Sequence, residues 1–174
     1  MNQANTDDNV VIVDENDIEL GIISRQQAHR QGLLHRTAAT YLTRPNGQIL
    51  IQERISSHLD HSSAGHVDPG EDYLQAAKRE LKEELGVECE LIELGKTISN
   101  EIGVGDNHNR IRHIFKIFEC QAEPGELAKD EVRSVFWADP LAIYKEMKND
   151  PEHHKFCSGF KVSLQFYLKK KGLL

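Results

Sequence analysis

The chain has 174 residues, of which 39% are hydrophobic and 28% charged, and its formal net charge is −7 at pH 7. This length and balance are typical of one globular domain with a substantial core. The negative charge argues against a nucleic-acid polymer as partner, because a phosphate backbone is bound by a basic surface. A small phosphorylated ligand remains compatible, since a bound cation reverses the local charge.

The cysteines and the N-terminal residues give predictions about the cellular location of the protein. Cys89, Cys120 and Cys157 lie far apart in the chain, with neither metal-ligand nor disulfide-framework spacing. We therefore predict reduced thiols in a cytoplasmic protein. The polar residues 1–9 predict a flexible tail before a single domain over residues 10–174. No apolar run approaches the length of a membrane span, so no membrane partner is expected.

The first third of the chain predicts short strands and one helix. Ser24 is a suitable helix N-cap, and Gly32 a suitable end for the same helix. Pro45-Asn46-Gly47 indicates a hairpin turn. The predicted strands cover residues 10–13, 18–23, 35–43 and 48–52, the helix covers residues 25–31, and residues 55–64 predict a polar loop.

The next segment combines a Gly/Pro loop with an amphipathic helix. At about 100° per residue, Glu80, Glu83 and Glu84 fall within about one third of the helix circumference. Crowded carboxylate oxygens are the ligands that Mg²⁺ prefers, and Mg²⁺ can carry substrate phosphates. An ordinary charged helix surface is the alternative for these three residues taken alone. Gly86 ends the helix, and its predicted apolar stripe consists of Leu74, Ala77, Leu81 and Leu85.

The last part of the chain predicts more strands and two helices. Asp139 is a suitable N-cap, and Pro140 suits the first position of the following helix. The predicted strands cover residues 90–100, 110–122 and 132–137, with a flexible loop over residues 101–109 and helices over residues 140–148 and 160–170. Strands mixed with few helices indicate a sheet sandwiched by helices.

The spacing of the whole segment resembles the Nudix box. A glycine, five residues, a glutamate and seven residues precede the pattern Arg-Glu-aliphatic-x-Glu-Glu-x-Gly-aliphatic. Every specified position is filled, by Gly65, Glu71, Arg79, Glu80, Leu81, Glu83, Glu84, Gly86 and Val87. The resemblance implies an α/β (α+β) fold, an α/β/α sandwich with a mixed sheet and a loop–helix–loop catalytic motif. It also implies hydrolysis of a diphosphate linked to another moiety in a small metabolite, with Mg²⁺, or Mn²⁺, as cofactor.

The same resemblance assigns roles to the box residues. Glu80, Glu83 and Glu84 would hold the metal, together with the backbone carbonyl of Gly65. Arg79 would orient the carboxylates, and Glu71 matches the outer-shell box glutamate. A metal-activated water would attack phosphorus, and a glutamate would take its proton.

The general base has two candidates, Glu83 in the box and Glu131 outside it. A solvated charge before a strand is the alternative interpretation of Glu131.

A second resemblance, over residues 10–140, is to type 1 isopentenyl-diphosphate isomerase and its hydrolase relatives. It is carried by Val13-Asp14-Glu15-Asn16, Ala28-His29-Arg30, Gly32-Leu33-Leu34-His35-Arg36, and Asp130-Glu131-Val132 with Trp137. That isomerase uses a cysteine two residues before a histidine, and glutamates in a later strand, around a histidine-bound metal. Here Ala64 stands at the cysteine position, and His108-Asn109-Arg110-Ile111-Arg112 contains no glutamate. Hydrolysis is therefore the preferred prediction, with isomerisation or a non-catalytic nucleotide-binding module as alternatives.

Further candidates lie outside the box. The histidines His29, His35 and His66 could hold a second metal, although each could equally be an ordinary hydrogen-bonded histidine. His66, Arg110 and Arg112 are candidates for substrate binding, and an exposed sheet face is the alternative for the two arginines.

No base- or ribose-recognition motif is present in the sequence. Nucleotides, nucleotide sugars, dinucleotides and isoprenoid diphosphates therefore all remain candidate substrates. A homodimer is a further expectation.

Overall fold

The computed structural model describes residues 9–102, 110–150, 152 and 154–174. Within these ranges the chain forms nine strands and four helices. In chain order they are β1 (Asn9–Val13), β2 (Glu19–Ser24), α1 (Arg25–Gln31), β3 (Leu34–Thr43), β4 (Ile49–Arg54), β5 (Leu59–Asp60), β6 (Ser63–His66), α2 (Tyr73–Leu85), β7 (Ile92–Ile102), β8 (Arg110–Gln121), β9 (Val132–Ala138), α3 (Pro140–Lys148) and α4 (Phe160–Lys170).

The strands form one mixed sheet centred on β3. The order β2-β1-β3-β4-β5 forms its main path, while β6 and β8 also pair with β3, β7 pairs with β8, and β9 pairs with β4. The β3–β8 pair is parallel and runs in register from Leu34 opposite Arg112 to Thr43 opposite Gln121. The other pairs of named strands within the described ranges are antiparallel.

Helices cover both faces of this sheet. Successive residues of β3 point to opposite faces. Ala38 and Leu42 pack in the clusters that contain α2, whereas Ala39 and Tyr41 pack in the cluster that contains α3 and α4. The predicted α/β/α sandwich is confirmed.

Most predicted elements are confirmed, and three helices have the predicted bounds. Ser24 caps α1 by accepting a hydrogen bond from the Gln27 backbone, and Asp139 caps α3 by accepting one from Ala142. Gly32 ends α1 with a φ of 61°, a left-handed conformation that glycine adopts without strain.

The predicted polar loop over residues 55–64 is wrong in its second half. Residues 59–63 are buried and contribute to β5 and β6. They can be polar because they satisfy buried backbone groups. The Ser62 hydroxyl accepts a hydrogen bond from the Leu42 N–H at 2.8 Å and donates one to the Leu50 carbonyl at 2.7 Å. Hydrogen-bonded burial of this kind has no apolar periodicity to reveal it.

Other corrections concern single residues and segment ends. Leu74 is 41% exposed and does not belong to the apolar stripe of α2, where Tyr73 and Ala76 are buried instead. Asn9, expected in the tail, begins β1, and residues 1–8 lie outside the described ranges. Of the predicted loop 101–109, the first two residues end β7 and the others are not described. No helix within the described ranges is long and apolar enough to cross a membrane.

The prediction of three reduced cysteines is wrong for two of them. Cys89 and Cys120 form a disulfide that joins the segment after α2 to β8, and Cys157 stays a thiol. Thirty-one positions separate the pair, and only the pairing of the sheet reveals their proximity. The prediction of a cytoplasmic location was based on reduced cysteines, and the disulfide removes that argument.

Candidate active site

The predicted loop–helix motif is built from β6, the following loop and α2. Asp72 starts the helix through a capping box, in which its carboxylate accepts from the Gln75 N–H and the Gln75 side chain accepts from the Asp72 N–H, each at 2.8 Å. Gly86 ends the helix with a φ of 62°. Both ends of α2, the helix that carries the box glutamates, are therefore fixed by caps.

Gly65 lies directly against a carboxylate of the helix. A Cβ atom at this position would lie 2.0 Å from Cδ and Oε1 of Glu80. Only a glycine permits this approach, because real Cβ atoms essentially never come closer than 3.0 Å. The glycine thus brings the backbone of β6 beside the Glu80 carboxylate.

Arg79 organises the acidic residues of the motif. Its guanidinium donates two hydrogen bonds to Glu71, at 2.8 and 2.9 Å, and one to Glu80 at 2.6 Å. It also donates to Glu83 at 3.3 Å and to the carbonyl of His66 at 3.1 Å. These hydrogen bonds lower the pKa of Glu71, so this carboxylate stays charged and in place.

Glu84 is the most buried of the box glutamates, with 2% of its side chain exposed. Its carboxylate accepts hydrogen bonds from the Gln52 amide at 3.2 Å and the Ala64 N–H at 3.3 Å. Burial raises its pKa to about 8, and the nearby charge of Glu80 adds to the effect. Burial also raises the pKa of Glu80. In both residues the effect of burial outweighs that of the neighbouring guanidinium, Arg79 for Glu80 and Arg54 for Glu84.

Sequence reasoning missed a second group of ionisable residues beside Glu84. Arg54, at the end of β4, lies 3.3 Å from Asp60, 3.7 Å from Glu84 and 3.9 Å from Glu131. Burial works to raise the pKa of Asp60, but the hydrogen bond from His61 and the charge of Arg54 hold it below its usual value. No local pattern marks Arg54 or Asp60, because β4 and β5 bring them to the site.

A cavity of about 490 Å³ connects these groups. Its walls include Glu80, Glu83 and Glu84 from α2, Arg54 and Glu131 from elsewhere in the chain, and also Arg25, Asp60, Gly65, His66, Arg79 and His113. Glu83 and Glu131 are exposed, so they lie toward the solvent side. The volume falls within the range of small-molecule sites.

The predicted histidines come together beside this cavity. His29, His35 and His66 are joined by His113, and one nitrogen of each lies within 4.8 Å of those of the other three. His113 lies within the strand predicted over residues 110–122 but was not among the predicted site residues. Strand alternation could have found it, because His113 shares a face with the buried Phe115 and Ile117.

Arg110 and Arg112 do not line the cavity described above. Arg112 donates a hydrogen bond to Glu15 at 3.0 Å, in the turn after β1. The Cβ of Arg110 faces Gly32, where a built Cβ would approach it to 3.4 Å. Instead, Arg25 and Arg54 are the cationic side chains that join Arg79 in the cavity wall.

This arrangement fits a bound divalent cation. The close approach of Gly65 to Glu80 creates a cradle that a Cβ would fill. Burial disfavours the ionised form of Glu84, and a bound cation would offset that cost. Hard oxygen donors of this kind suit Mg²⁺ or a similar ion.

Comparisons with known proteins identify the family of the chain. A family model described as NUDIX domain matches residues 33–159. An isopentenyl-diphosphate Delta-isomerase of Pectobacterium atrosepticum is 30% identical over 161 residues, with 88% of each chain covered. An uncharacterized Nudix hydrolase of Clostridium acetobutylicum is 33% identical over 169 residues, covering 87% of this chain and 79% of that protein.

Solved structures support the same fold. DR0079 of Deinococcus radiodurans aligns with a TM-score of 0.68 at 22% identity, covering 90% of this chain and 97% of that one. An Ap4A hydrolase of C. elegans aligns with a TM-score of 0.57 at 18% identity, covering 80% of this chain and 98% of that one.

Proposed function

The chain belongs to the NUDIX domain family, and on this premise we propose that it hydrolyses a phosphoanhydride in a small metabolite with Mg²⁺, or Mn²⁺, as cofactor. The substrate would be a diphosphate linked to another moiety, bound by one catalytic domain over residues 10–174. The observation that carries the proposal is the complete carboxylate site, in which Arg79 holds Glu80 beside Gly65 and Glu84 lies buried next to them.

The residues of the cavity would have separate roles in binding the cation and the substrate. Glu80, Glu84 and the Gly65 carbonyl would hold the cation, with Glu83 at the exposed edge. When bound, Mg²⁺ would neutralise charge on the phosphate oxygens and lower the pKa of the attacking water. Arg79 would keep Glu80 in position, and Arg25, which lines the cavity, would pair with a substrate phosphate.

Glu83 and Glu131 are the two candidates for the base that takes the proton of the attacking water. Both line the cavity and both are exposed. Glu83→Gln and Glu131→Gln would separate them. The base is the residue whose substitution lowers kcat without changing the concentration of Mg²⁺ needed for half-maximal activation.

Isomerisation of an isopentenyl diphosphate is the second candidate function. It is favoured by the name of the Pectobacterium relative and by the histidine cluster. Against it, Ala64 lines the cavity at the position where the resemblance calls for a cysteine, and alanine can neither donate nor accept a proton. A nucleotide-binding module without turnover ranks third, because every specified position of the box holds the residue type that the box requires.

A phosphate-release screen tests the proposal. The purified chain would be incubated with Mg²⁺, then Mn²⁺, and with nucleoside triphosphates, nucleotide sugars, dinucleotides and isoprenoid diphosphates. Isomerisation of isopentenyl diphosphate would be measured in parallel. We expect release from one substrate class and a loss of at least about 100-fold in Glu84→Gln, because a metal ligand is lost.

Glu90→Gln is the matched control. It makes the same chemical change on a side chain that is 98% exposed and lies outside the cavity wall. Turnover in Glu84→Gln equal to that of the control would contradict the carboxylate site. Isomerisation without phosphate release would favour the second candidate.

The compartment and the oligomeric state are separate proposals. We keep a cytoplasmic location as a proposal, to be tested by cell fractionation. A homodimer through β2 is a further proposal, supported by the exposed Ile18, Leu20 and Ile22 on and beside this strand. Light scattering of Leu20→Lys and of the wild-type chain would test it.

A further inference from the structure

The histidine cluster is assembled by four separate elements. His29 lies on α1, His35 on β3, His66 on β6 and His113 on β8. His35 and His113 are direct partners across the parallel β3–β8 pair. His66 is opposite Thr37, two residues further along the same face of β3. The register of the sheet therefore directs three imidazoles to one point, and α1 adds the fourth.

Four buried imidazole nitrogens of His35, His66 and His113 lack hydrogen-bond partners among the described residues, which indicates a ligand. The His35 Nδ1 lies 2.9 Å from the Leu33 carbonyl, which only accepts, so Nδ1 carries the hydrogen and Nε2 keeps a lone pair. Nε2 of His35, Nε2 of His66 and both nitrogens of His113 are buried with no hydrogen-bond partner among the described residues. His113 is only 9% exposed. Buried polar atoms are nearly always satisfied in native proteins.

Ring packing alone does not account for this cluster. The ring centroids of His35 and His113 are 4.5 Å apart, and His35 stacks on His66 at 5.1 Å. An apolar ring at position 113 would pack equally well and would bury no unsatisfied nitrogen.

We propose that His113 completes a four-histidine site that binds one transition-metal ion of the Zn²⁺ type, separate from the cation held by the box glutamates. Four imidazoles are a full set of ligands for tetrahedral Zn²⁺. In such a site the nitrogens would be about 3.3 Å apart, so small ring rotations must bring them together. Because no carboxylate takes part, the hard ion Mg²⁺ is disfavoured here.

The proposal gives this chain a different site from the one that the isomerase resemblance implies. There, glutamates of a later strand complete the histidine-bound metal site. Here β8 offers His113 instead, and four protein ligands leave no position open for water or substrate, as in structural zinc sites.

The ion would act on the box through His66. This residue follows Gly65, and its carbonyl accepts the hydrogen bond from Arg79. Metal bound to the four histidines would therefore fix the end of β6 that positions Glu80. The proposal does not depend on hydrolysis, because its test measures metal binding and stability.

Metal binding to the untagged chain tests the proposal, since a polyhistidine tag would itself bind Zn²⁺. After chelation, the protein would be titrated with Zn²⁺, Co²⁺ and Mg²⁺, and its metal content measured after desalting. We expect one Zn²⁺ per chain in the wild type and in Glu84→Gln. His113→Gln should weaken Zn²⁺ binding by more than about 100-fold, beyond what the loss of an outer-shell partner costs. His154→Ala, an exposed histidine on another loop, is the control that should not change binding.

Two further measurements keep the test decisive. The Co²⁺ form should show the intense visible absorption of a tetrahedral site, and His113→Gln should lose it. If circular dichroism shows that His113→Gln does not fold, His29→Ala replaces it, because His29 is only partly buried. No bound Zn²⁺ in the wild type, wild-type affinity in the folded histidine variant, or loss of Zn²⁺ in Glu84→Gln would each overturn the proposal.

Discussion

Replacing Gly65 with alanine should disable the proposed cation site while leaving the fold in place. The new Cβ would lie 2.0 Å from the Glu80 carboxyl carbon, whereas ordinary van der Waals contact begins at 3.4 Å. The carboxylate must therefore move by about 1.4 Å to reach ordinary contact, the difference between these two distances, and by at least about 1.0 Å to reach the 3.0 Å limit of real Cβ contacts. Metal–ligand distances in protein sites lie within about 0.2 Å of their standard values, so a carboxylate displaced this far would no longer bind the cation in the same position.

Turnover and metal affinity should both show this displacement. We expect Gly65→Ala to lower kcat/KM by at least about 100-fold. The Mg²⁺ concentration for half-maximal activation should rise by about 10- to 100-fold. Overpacking should lower the free energy of unfolding by about 1–3 kcal/mol, because the partly exposed Glu80 side chain can swing away. Steady-state kinetics over an Mg²⁺ series and denaturant unfolding measure these quantities.

A control variant and a second background test whether the clash with Glu80 causes these effects. Gly47→Ala changes a turn glycine whose Cβ would meet no atom within 4 Å but whose φ of 84° strains any other residue. It therefore controls for a destabilising glycine substitution that does not touch Glu80. In a Glu80→Ala background, Gly65→Ala should cost little stability, since the clash is gone. The reasoning is refuted if Gly65→Ala keeps wild-type turnover and Mg²⁺ dependence, or if its stability cost is unchanged without the Glu80 side chain.

Three further predictions concern the same region. In chelated protein, the contribution of Glu84 to stability should fall by up to a few kcal/mol as pH rises from about 4.5 to 8, because folded Glu84, with its pKa of about 8, keeps a proton that the unfolded chain releases. The buried histidines change stability in both proteins, so the measured quantity is the free energy of unfolding of the wild type minus that of Glu84→Gln, which should fall over this pH range. Arg79→Lys keeps the charge but loses the planar guanidinium that binds Glu71 through two hydrogen bonds. The Mg²⁺ concentration for half-maximal activation should therefore rise by about 10- to 100-fold, and an unchanged concentration would contradict the role of the guanidinium. Reducing the Cys89–Cys120 disulfide should cost about 3–4 kcal/mol in denaturant unfolding, and a thiol count of three without reductant would refute the bond.

The sequence by itself determined the local features of this protein. The Nudix box spacing, the caps of α1 and α3 and the hairpin at Pro45-Asn46-Gly47 could all be predicted, because each is a pattern within one continuous segment of the sequence. The family followed from the same spacing. Periodicity also located β8, although it did not reveal which of its residues meet other strands.

Only the tertiary structure decided which distant residues meet. The register of β3 against β8 places His113 beside His35, and the same strand brings Cys120 to Cys89. Arg54 and Asp60 reach Glu84 because β4 and β5 pair at the edge of the cavity. These contacts depend on long-range strand pairing, in which a shift of one residue turns every side chain to the opposite face. No local pattern records that register. The complete histidine cluster and the contacts of Arg54 and Asp60 with Glu84 could therefore be identified only in the folded chain.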